Sequence, residues 1–338
     1  MTRSEPLTAT QTTNEQALLH LASYSRFVQR LHRRYADWMP LLPPGAPTRS
    51  SLTEAFESLL GKGLDTAAAL RVLRQLTMER LVQLDCSEQA PLQVITHGVT
   101  WLAEVTLDIA CRQAQADLDS IHGAPLTASG QRAELWIVGM GKLGAHELNL
   151  SSDIDLMFTY AEDGETNGRR AISNQEFFVK VGQRIIQLLD PVTADGFVFR
   201  VDMRLRPWGD GSALAMSVDA METYYERHGP EWERYALIKA RICAGDRKHG
   251  EQLMRALRPF VFRRYIDFGV FESLREMKGM IEREVRRLDR EDNIKLGRGG
   301  IREVEFIVQA FQLIRGGVDT ALQERQLLKV LPMLGERG

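Results

Sequence analysis

The sequence predicts an α+β protein in which a small mixed β-sheet core is flanked by N-terminal and C-terminal helical domains. Three observations carry that prediction. Apolar residues recur at helical spacing from about residue 14 to residue 120. Period-two alternation takes over in two stretches, 153–159 and 197–206, each with charged side chains on one face. Helical spacing then returns from Val218 to the end. The expected division is a polar, Thr-rich disordered tip over 1–13, a helical region over 14–125, an α/β core over 126–217, and a truncated helical domain over 218–338.

The elements follow in order. Residues 14–38 carry Leu18, Leu19, Leu21, Ala22 and Phe27 as an apolar stripe. Leu41-Leu42-Pro43-Pro44-Gly45-Ala46-Pro47 breaks that helix. Helical patterns resume over 50–60, 65–85 and 93–120; in the last, Trp101, Leu102, Val105 and Ile109 form a core-facing stripe. Gly123, Pro125 and Gly130 mark a linker. The run from Glu134 to Met140 reads as a strand, and a helix near 174–190 lies between the two alternating stretches. Beyond Val218, long amphipathic segments are expected over 247–265, 269–290 and 299–315.

Chemistry concentrates on the alternating stretches. In Ser151-Ser152-Asp153-Ile154-Asp155-Leu156-Met157-Phe158, two aspartates one residue apart share a strand face, while Ile154, Leu156 and Phe158 face a core. Neighbouring carboxylates repel, and a divalent cation relieves the repulsion. A solvated strand face is the competing reading. The second stretch puts Arg200, Asp202, Arg204 and Arg206 on one face and Phe199, Val201, Met203 and Leu205 on the other. Paired with the first, it brings three aspartates and several arginines onto one surface. Three carboxylates suit a hard cation such as Mg²⁺, and arginines bind phosphate oxygens. Together they equip a site for phosphoryl or nucleotidyl transfer.

The run Gly139-Met140-Gly141-Lys142-Leu143-Gly144 fits G-x-G-x-x-G after a strand. A dinucleotide-binding unit needs about 30 residues and an acidic residue about 20 positions on. Here only Lys142 to Leu150 separates the glycines from the Asp-x-Asp, room for a couple of helical turns. No Ser or Thr follows Lys142, which argues equally against a P-loop.

Composition bounds the rest. The 338 residues are 44% hydrophobic and 26% charged with a net charge of −2, ordinary for a globular protein and no sign of a nucleic acid or membrane partner. Cys86, Cys111 and Cys243 lack metal-ligand spacing, and the start at Met1 lacks an apolar signal region; both fit a cytoplasmic protein. His146 and His228 read as ordinary packing or surface residues, and Trp208 as a packed corner. In 269–290, Arg283, Arg286, Arg287 and Arg290 alternate with Glu282, Glu284, Asp289 and Glu291, either a solvated face or one that closes on phosphates or a protein partner. Gly297-Arg298-Gly299-Gly300 is either a flexible joint between helices or an anion site at a helix N-terminus, and the cluster of Lys295, Arg298 and Arg302 favours the anion site.

Several motifs in order carry a resemblance. Gly141-Lys142-Leu143-Gly144, Glu147-Leu148-Asn149, Ser151 to Leu156, and Asp202-Met203-Arg204-Leu205-Arg206-Pro207 resemble the glutamine synthetase adenylyltransferase family, of the DNA polymerase β-like nucleotidyltransferase superfamily. Glu233-Arg234-Tyr235-Ala236, Arg258 to Asp267, Asn293 to Gly297 and Gly299 to Val308 extend it. The wording from Glu147 to Asp155 looks like the N-terminal half of that family, and the stop at Gly338 like a fragment without the adenylylating half. The resemblance implies phosphorolytic removal of AMP from an adenylylated tyrosine of glutamine synthetase, with inorganic phosphate consumed and ADP released. It implies two Mg²⁺ ions on Asp153, Asp155 and Asp202, with Lys142, Ser152, Arg204 and Arg206 toward phosphate or nucleotide. It names glutamine synthetase as substrate and the PII signal protein as regulator, with ATP used by the adenylylating half. A catalytically silent module that docks glutamine synthetase or PII is the alternative, and a nicotinamide-dependent oxidoreductase a more distant one.

Overall fold

The computed structural model describes residues 24–265, 269–287, 293–297 and 299–337. The expected tip over 1–13, the start of the first expected helix, and Asp289, Arg290, Glu291 and Arg298 lie outside the described residues. The chain divides into two compact units. The first comprises the described residues up to Gln113 with Glu147–Asp153 and Ile185–Arg200; the second comprises Ala114–His146, Ile154–Arg184 and Val201 onward.

Helices build the first unit. Helix α1 (Arg26–Tyr35) starts at Ser25, whose hydroxyl accepts from the Val28 amide, and buries Val28, Leu31 and Tyr35 at helical spacing. A 3₁₀ segment, Ala36–Leu41, contains Pro40 and ends the run. Thr48 and Ser51 form a reciprocal cap on α2 (Arg49–Gly61), which buries Leu52, Ala55, Phe56 and Leu59. Asp65 caps α3 (Thr66–Val82). That helix is buried nearly all round: Leu70, Leu73 and Leu76 are inaccessible, each contributing about 1.5–3 kcal/mol over an exposed position. Arg71, Arg74 and Glu79 are buried on the same helix, a charge load that demands partners. Helix α4 (Leu92–His122) has the length and hydropathy of a membrane span, yet 78% of its apolar window is buried inside the protein, as befits a core helix. Its buried Glu104 pairs with Arg49.

The second unit holds a five-stranded mixed sheet. After β1 (Leu135–Gly139) comes the single turn α5 (Gly141–Gly144), then β2 (Ile154–Tyr160), α6 (Asn174–Leu189), β3 (Val201–Asp202), β4 (Ala215–Ser217), α7 (Val218–Arg227), α8 (Glu231–Leu237), β5 (Arg241–Ala244), α9 (Arg247–Val261), α10 (Gly269–Arg287), α11 (Ile301–Arg315) and α12 (Leu327–Glu336). The order is β3-β2-β1-β5, with β4 also on β2. β1 runs antiparallel to both β2 and β5; β3 and β4 run parallel to β2. Both faces of the sheet are covered. Phe158 meets Gly182 of α6, and Tyr160 stacks on Phe178 at 5.0 Å. Trp136, Val138 and Met157 join Met221, Tyr225, Leu253 and Leu257 in one core.

The helices expected over 50–60, 65–85, 93–120, 174–190, 247–265 and 299–315 form close to those bounds, and 269–290 is helical as far as Arg287. Three expectations need correction. Alternation on β2 stops at Asp155: Met157 and Thr159 are as buried as Leu156 and Phe158, because the sheet is covered on both sides. The stretch 197–206 is a strand only at Val201–Asp202, because the Asp202 carboxylate accepts from the Arg204 amide at 2.9 Å and turns the chain. The region beyond Val218 is not wholly helical, since β5 closes the sheet there.

Candidate active site

The glycines after β1 are spaced for packing. A Cβ on Gly139 would lie 2.3 Å from Cys243 Sγ, and one on Gly144 would lie 1.9 Å from the Lys239 carbonyl oxygen. Gly141 has φ +52°, and a Cβ there would sit 2.8 Å from Asp155 Oδ2. Gly141 is therefore required twice, for its left-handed backbone and for the room it leaves to a carboxylate. The Met140 amide donates to the Asp155 carbonyl at 2.9 Å, which ties this turn to β2. Lys142 follows on α5, half-buried.

Asp155 and Asp202 are brought together. They are register partners on the parallel pair β2 and β3, so their side chains leave the sheet on one face, about 4.8 Å apart in the hydrogen-bonding direction. Arg204 closes on Asp202: Nε lies 3.0 Å from both carboxylate oxygens and a terminal nitrogen 2.5 Å from Oδ2. That guanidinium, foremost, holds the Asp202 carboxyl below the usual carboxylate range, against an opposing push from burial.

Asp153 and Ser152 belong to the first unit, immediately before β2. Ser152 Oγ accepts from the Asn149 amide at 3.3 Å. Arg200 Nε donates to Asp153 Oδ1 at 2.5 Å, and another nitrogen of the same guanidinium donates to the Ser151 carbonyl at 2.8 Å. Sequence reading placed Arg200 on the polar face without a role; its pairing with Asp153 follows from where 185–200 folds.

Arg206 does not share a strand face with Asp202. It is turned into its own loop, donating to the Met203 carbonyl at 2.7 Å and the Asp210 carboxylate at 3.2 Å. Trp208, at φ +62°, packs one face on Tyr224 and His228 while 59% of it stays exposed. The expected anion site at the α11 N-terminus is corrected: the amides of Ile301, Arg302 and Glu303 already donate to the carbonyls of Ile294, Lys295 and Gly300, and Glu303 caps Gly299. A trio that sequence distance concealed, Glu134, Asp246 and His249, gathers with ligand atoms within 4.8 Å of one another. It lies at the start of β1, the opposite end from Gly141.

Comparison with known proteins adds a second line of observation. The family profile described as glutamate-ammonia ligase adenylyltransferase matches residues 15–256. This chain belongs to that family. A profile described as PII-uridylyltransferase matches residues 275–338. Curated relatives named bifunctional glutamine synthetase adenylyltransferase/adenylyl-removing enzyme include one from Thioalkalivibrio sulfidiphilus, 57% identical over 79% of this chain and 28% of its own length. Others are from Acinetobacter baylyi, 50% identical over 96% and 35%, and Aromatoleum aromaticum, 47% identical over 99% and 36%. The chain thus spans about a third of the length of the curated relatives it matches.

The glutamate-ammonia ligase adenylyltransferase profile covers β1, β2 and β3 with their glycine turn and all three aspartates. The donor set fits Mg²⁺. Asp155 and Asp202 offer hard carboxylate oxygens side by side, and the guanidinium on Asp202 marks those oxygens as a seat for positive charge.

Proposed function

We propose that this chain removes AMP from an adenylylated tyrosine of glutamine synthetase by phosphorolysis. The observation that carries the reading is the in-register pair Asp155 and Asp202, beside an arginine, in a chain of this family. The names of its relatives support the substrate, and the run from Glu147 to Ser152 supports removal over addition. An oxygen of inorganic phosphate attacks the phosphorus of the tyrosine-linked AMP. The bond from phosphorus to the tyrosyl oxygen breaks, that oxygen leaves with the electron pair and takes a proton, and the product is ADP.

Asp153, Asp155 and Asp202 would hold Mg²⁺, two ions in this reading, which neutralises charge on the phosphorus oxygens. The attacking phosphate is already anionic, so alignment and charge neutralisation matter more than a general base. Arg204 is exposed, and its guanidinium is proposed to exchange Asp202 for a phosphate oxygen. Lys142 beside the Asp155 turn, Ser152 beside Asp153, and Arg206 from the following loop complete the set proposed to meet phosphate or nucleotide. ATP belongs to the adenylylating activity in the relatives' name.

The match to a PII-uridylyltransferase profile over 275–338 favours a second reading, a module that docks glutamine synthetase or the PII signal protein without chemistry. The test supplies adenylylated glutamine synthetase, Mg²⁺ and phosphate to this chain, with a full-length relative as positive control. ADP, formed only with phosphate, is the expected product. Free AMP would mean hydrolysis, and binding without any product would favour the docking module.

A further inference from the structure

Arg74 of α3 is a buried cation with no acidic partner among the described residues. It is 9% exposed, and one of its terminal nitrogens is buried with no hydrogen-bond partner. The other donates to the Leu150 carbonyl at 3.4 Å. Its guanidinium carbon lies 4.9 Å from the Phe197 ring centre and 5.0 Å from that of Phe199. Burial, and then the nearby charge of Arg200, bring its pKa down to about 10. An uncompensated buried charge is a poor way to stabilise a fold, and an apolar side chain of similar volume between two phenylalanines would serve better.

Its hydrogen bond and its ring contacts, among the described residues, fall on two segments. Leu150 stands three residues before Asp153, while Phe197 and Phe199 stand just before Arg200 and β3. The same face of α3 grips the second segment again. Arg71 donates to the carbonyls of Gly196 at 3.1 Å and Pro191 at 2.8 Å, and Gln75 to that of Asp195 at 2.8 Å. Residues 71, 74 and 75 share a helix face by their i, i+3, i+4 spacing. Arg200 then reaches from the second segment to the first, to the Ser151 carbonyl and the Asp153 carboxylate. Its guanidinium carbon stands 5.4 Å from the Phe197 ring centre, so that one ring serves both arginines.

We infer that Arg74 is a positioning residue for the proposed reaction: through Leu150 and the Phe197–Phe199 pair it sets the backbone that leads into Asp153, and through Arg200 it sets the Asp153 carboxylate. The inference rests on the role proposed for Asp153. A planar cation suits this joint because its hydrogen-bond acceptor is a carbonyl oxygen on one segment and its ring contacts are two π faces on the other.

The experiment compares wild type, Arg74→Met, Arg74→Lys and Phe199→Leu for thermal stability, Mn²⁺ affinity by electron paramagnetic resonance, and ADP release. Arg74→Met should melt at or above the wild-type temperature yet lose about 10-fold in Mn²⁺ affinity and in kcat, the scale of an outer-shell partner. KM for phosphate should stay within about 2-fold, since only the metal-holding side of the site is disturbed. Arg74→Lys should recover part of both losses. Phe199→Leu loosens the same joint with Arg74 intact and should weaken Mn²⁺ binding too; it decides the matter if Arg74→Met does not fold. Wild-type Mn²⁺ affinity in Arg74→Met, or in a folded Phe199→Leu, overturns the inference. So does a lowered melting temperature whose folded fraction accounts for the whole rate loss, and so does a wild type that binds no Mn²⁺. A wild type that binds Mn²⁺ but yields no ADP sinks the phosphorolytic reading alone, because the metal comparison still decides the role of Arg74.

Discussion

Single residues carry the proposed chemistry, and their settings say what each substitution should do. Asp155 sits at the second position of β2, half-buried, before the strand becomes fully buried. Asp155→Asn or Asp153→Asn should keep the fold and reduce ADP release by at least about 10²-fold, the scale of losing one transition-state electrostatic contact. A variant that keeps both its rate and its Mg²⁺ requirement removes that residue from the site. The Asp202–Arg204 pair gives a pH prediction. Because the folded carboxyl lies below its usual range, the pair adds stability above the unfolded value of about 3.9 and loses it as pH falls through the folded value. Arg204→Gln should therefore melt below wild type at pH 7, with the gap closing in the acid range below about pH 4. Melting curves across pH 2–7 check this; a gap that is constant with pH assigns the difference to something other than Asp202.

At the scale of elements, the turn between β1 and β2 is built around a glycine that a side chain cannot replace. Gly141→Ala combines a left-handed backbone with a Cβ 2.8 Å from Asp155 Oδ2. About 1–3 kcal/mol of destabilisation is expected, with a loss of Mn²⁺ affinity as the carboxylate moves. Calorimetry and metal titration measure the two effects; a variant with unchanged affinity would show that Asp155 has slack here. The sequence discloses such a turn only by its glycines, and G-x-G-x-x-G looks the same whether the partner is a pyrophosphate or a carboxylate. Helices were more legible: apolar spacing over 50–60 and 65–85 lies close to the observed α2 and α3, whose starts the structure shows capped by Thr48 with Ser51 and by Asp65. The short β3 was misread because Asp202 turns the chain with its own side chain, a local competition that period-two counting ignores.

At the scale of the molecule, the chain does not divide into consecutive blocks. The segments Glu147–Asp153 and Ile185–Arg200, which lead into β2 and β3, group with the N-terminal helices. A piece beginning at residue 126 would strip these segments of Arg71, Arg74 and Gln75. Phe197 and Phe199 would lose the guanidinium that lies over their rings. Such a piece should bind a hydrophobic dye and melt without a cooperative transition. A sharp transition with intact near-ultraviolet circular dichroism would mean that these segments hold themselves.

By itself the sequence determined the α+β class, most helices, the first aspartate strand from Ile154 to Phe158 and the run of motifs that place the chain in its family. These are local properties: period, breakers and the order of short words along the chain. Tertiary structure decided what stands beside what. It covered both faces of β2 and so erased the alternation after Asp155. It brought β5 into the sheet from a region that reads as helix. It set Asp202 in register with Asp155, and put Arg74 against segments about 75 and 125 residues away. A buried arginine on an apolar helix gives no local sign of its partners, because they are backbone carbonyls and ring faces that any sequence offers and only folding aligns.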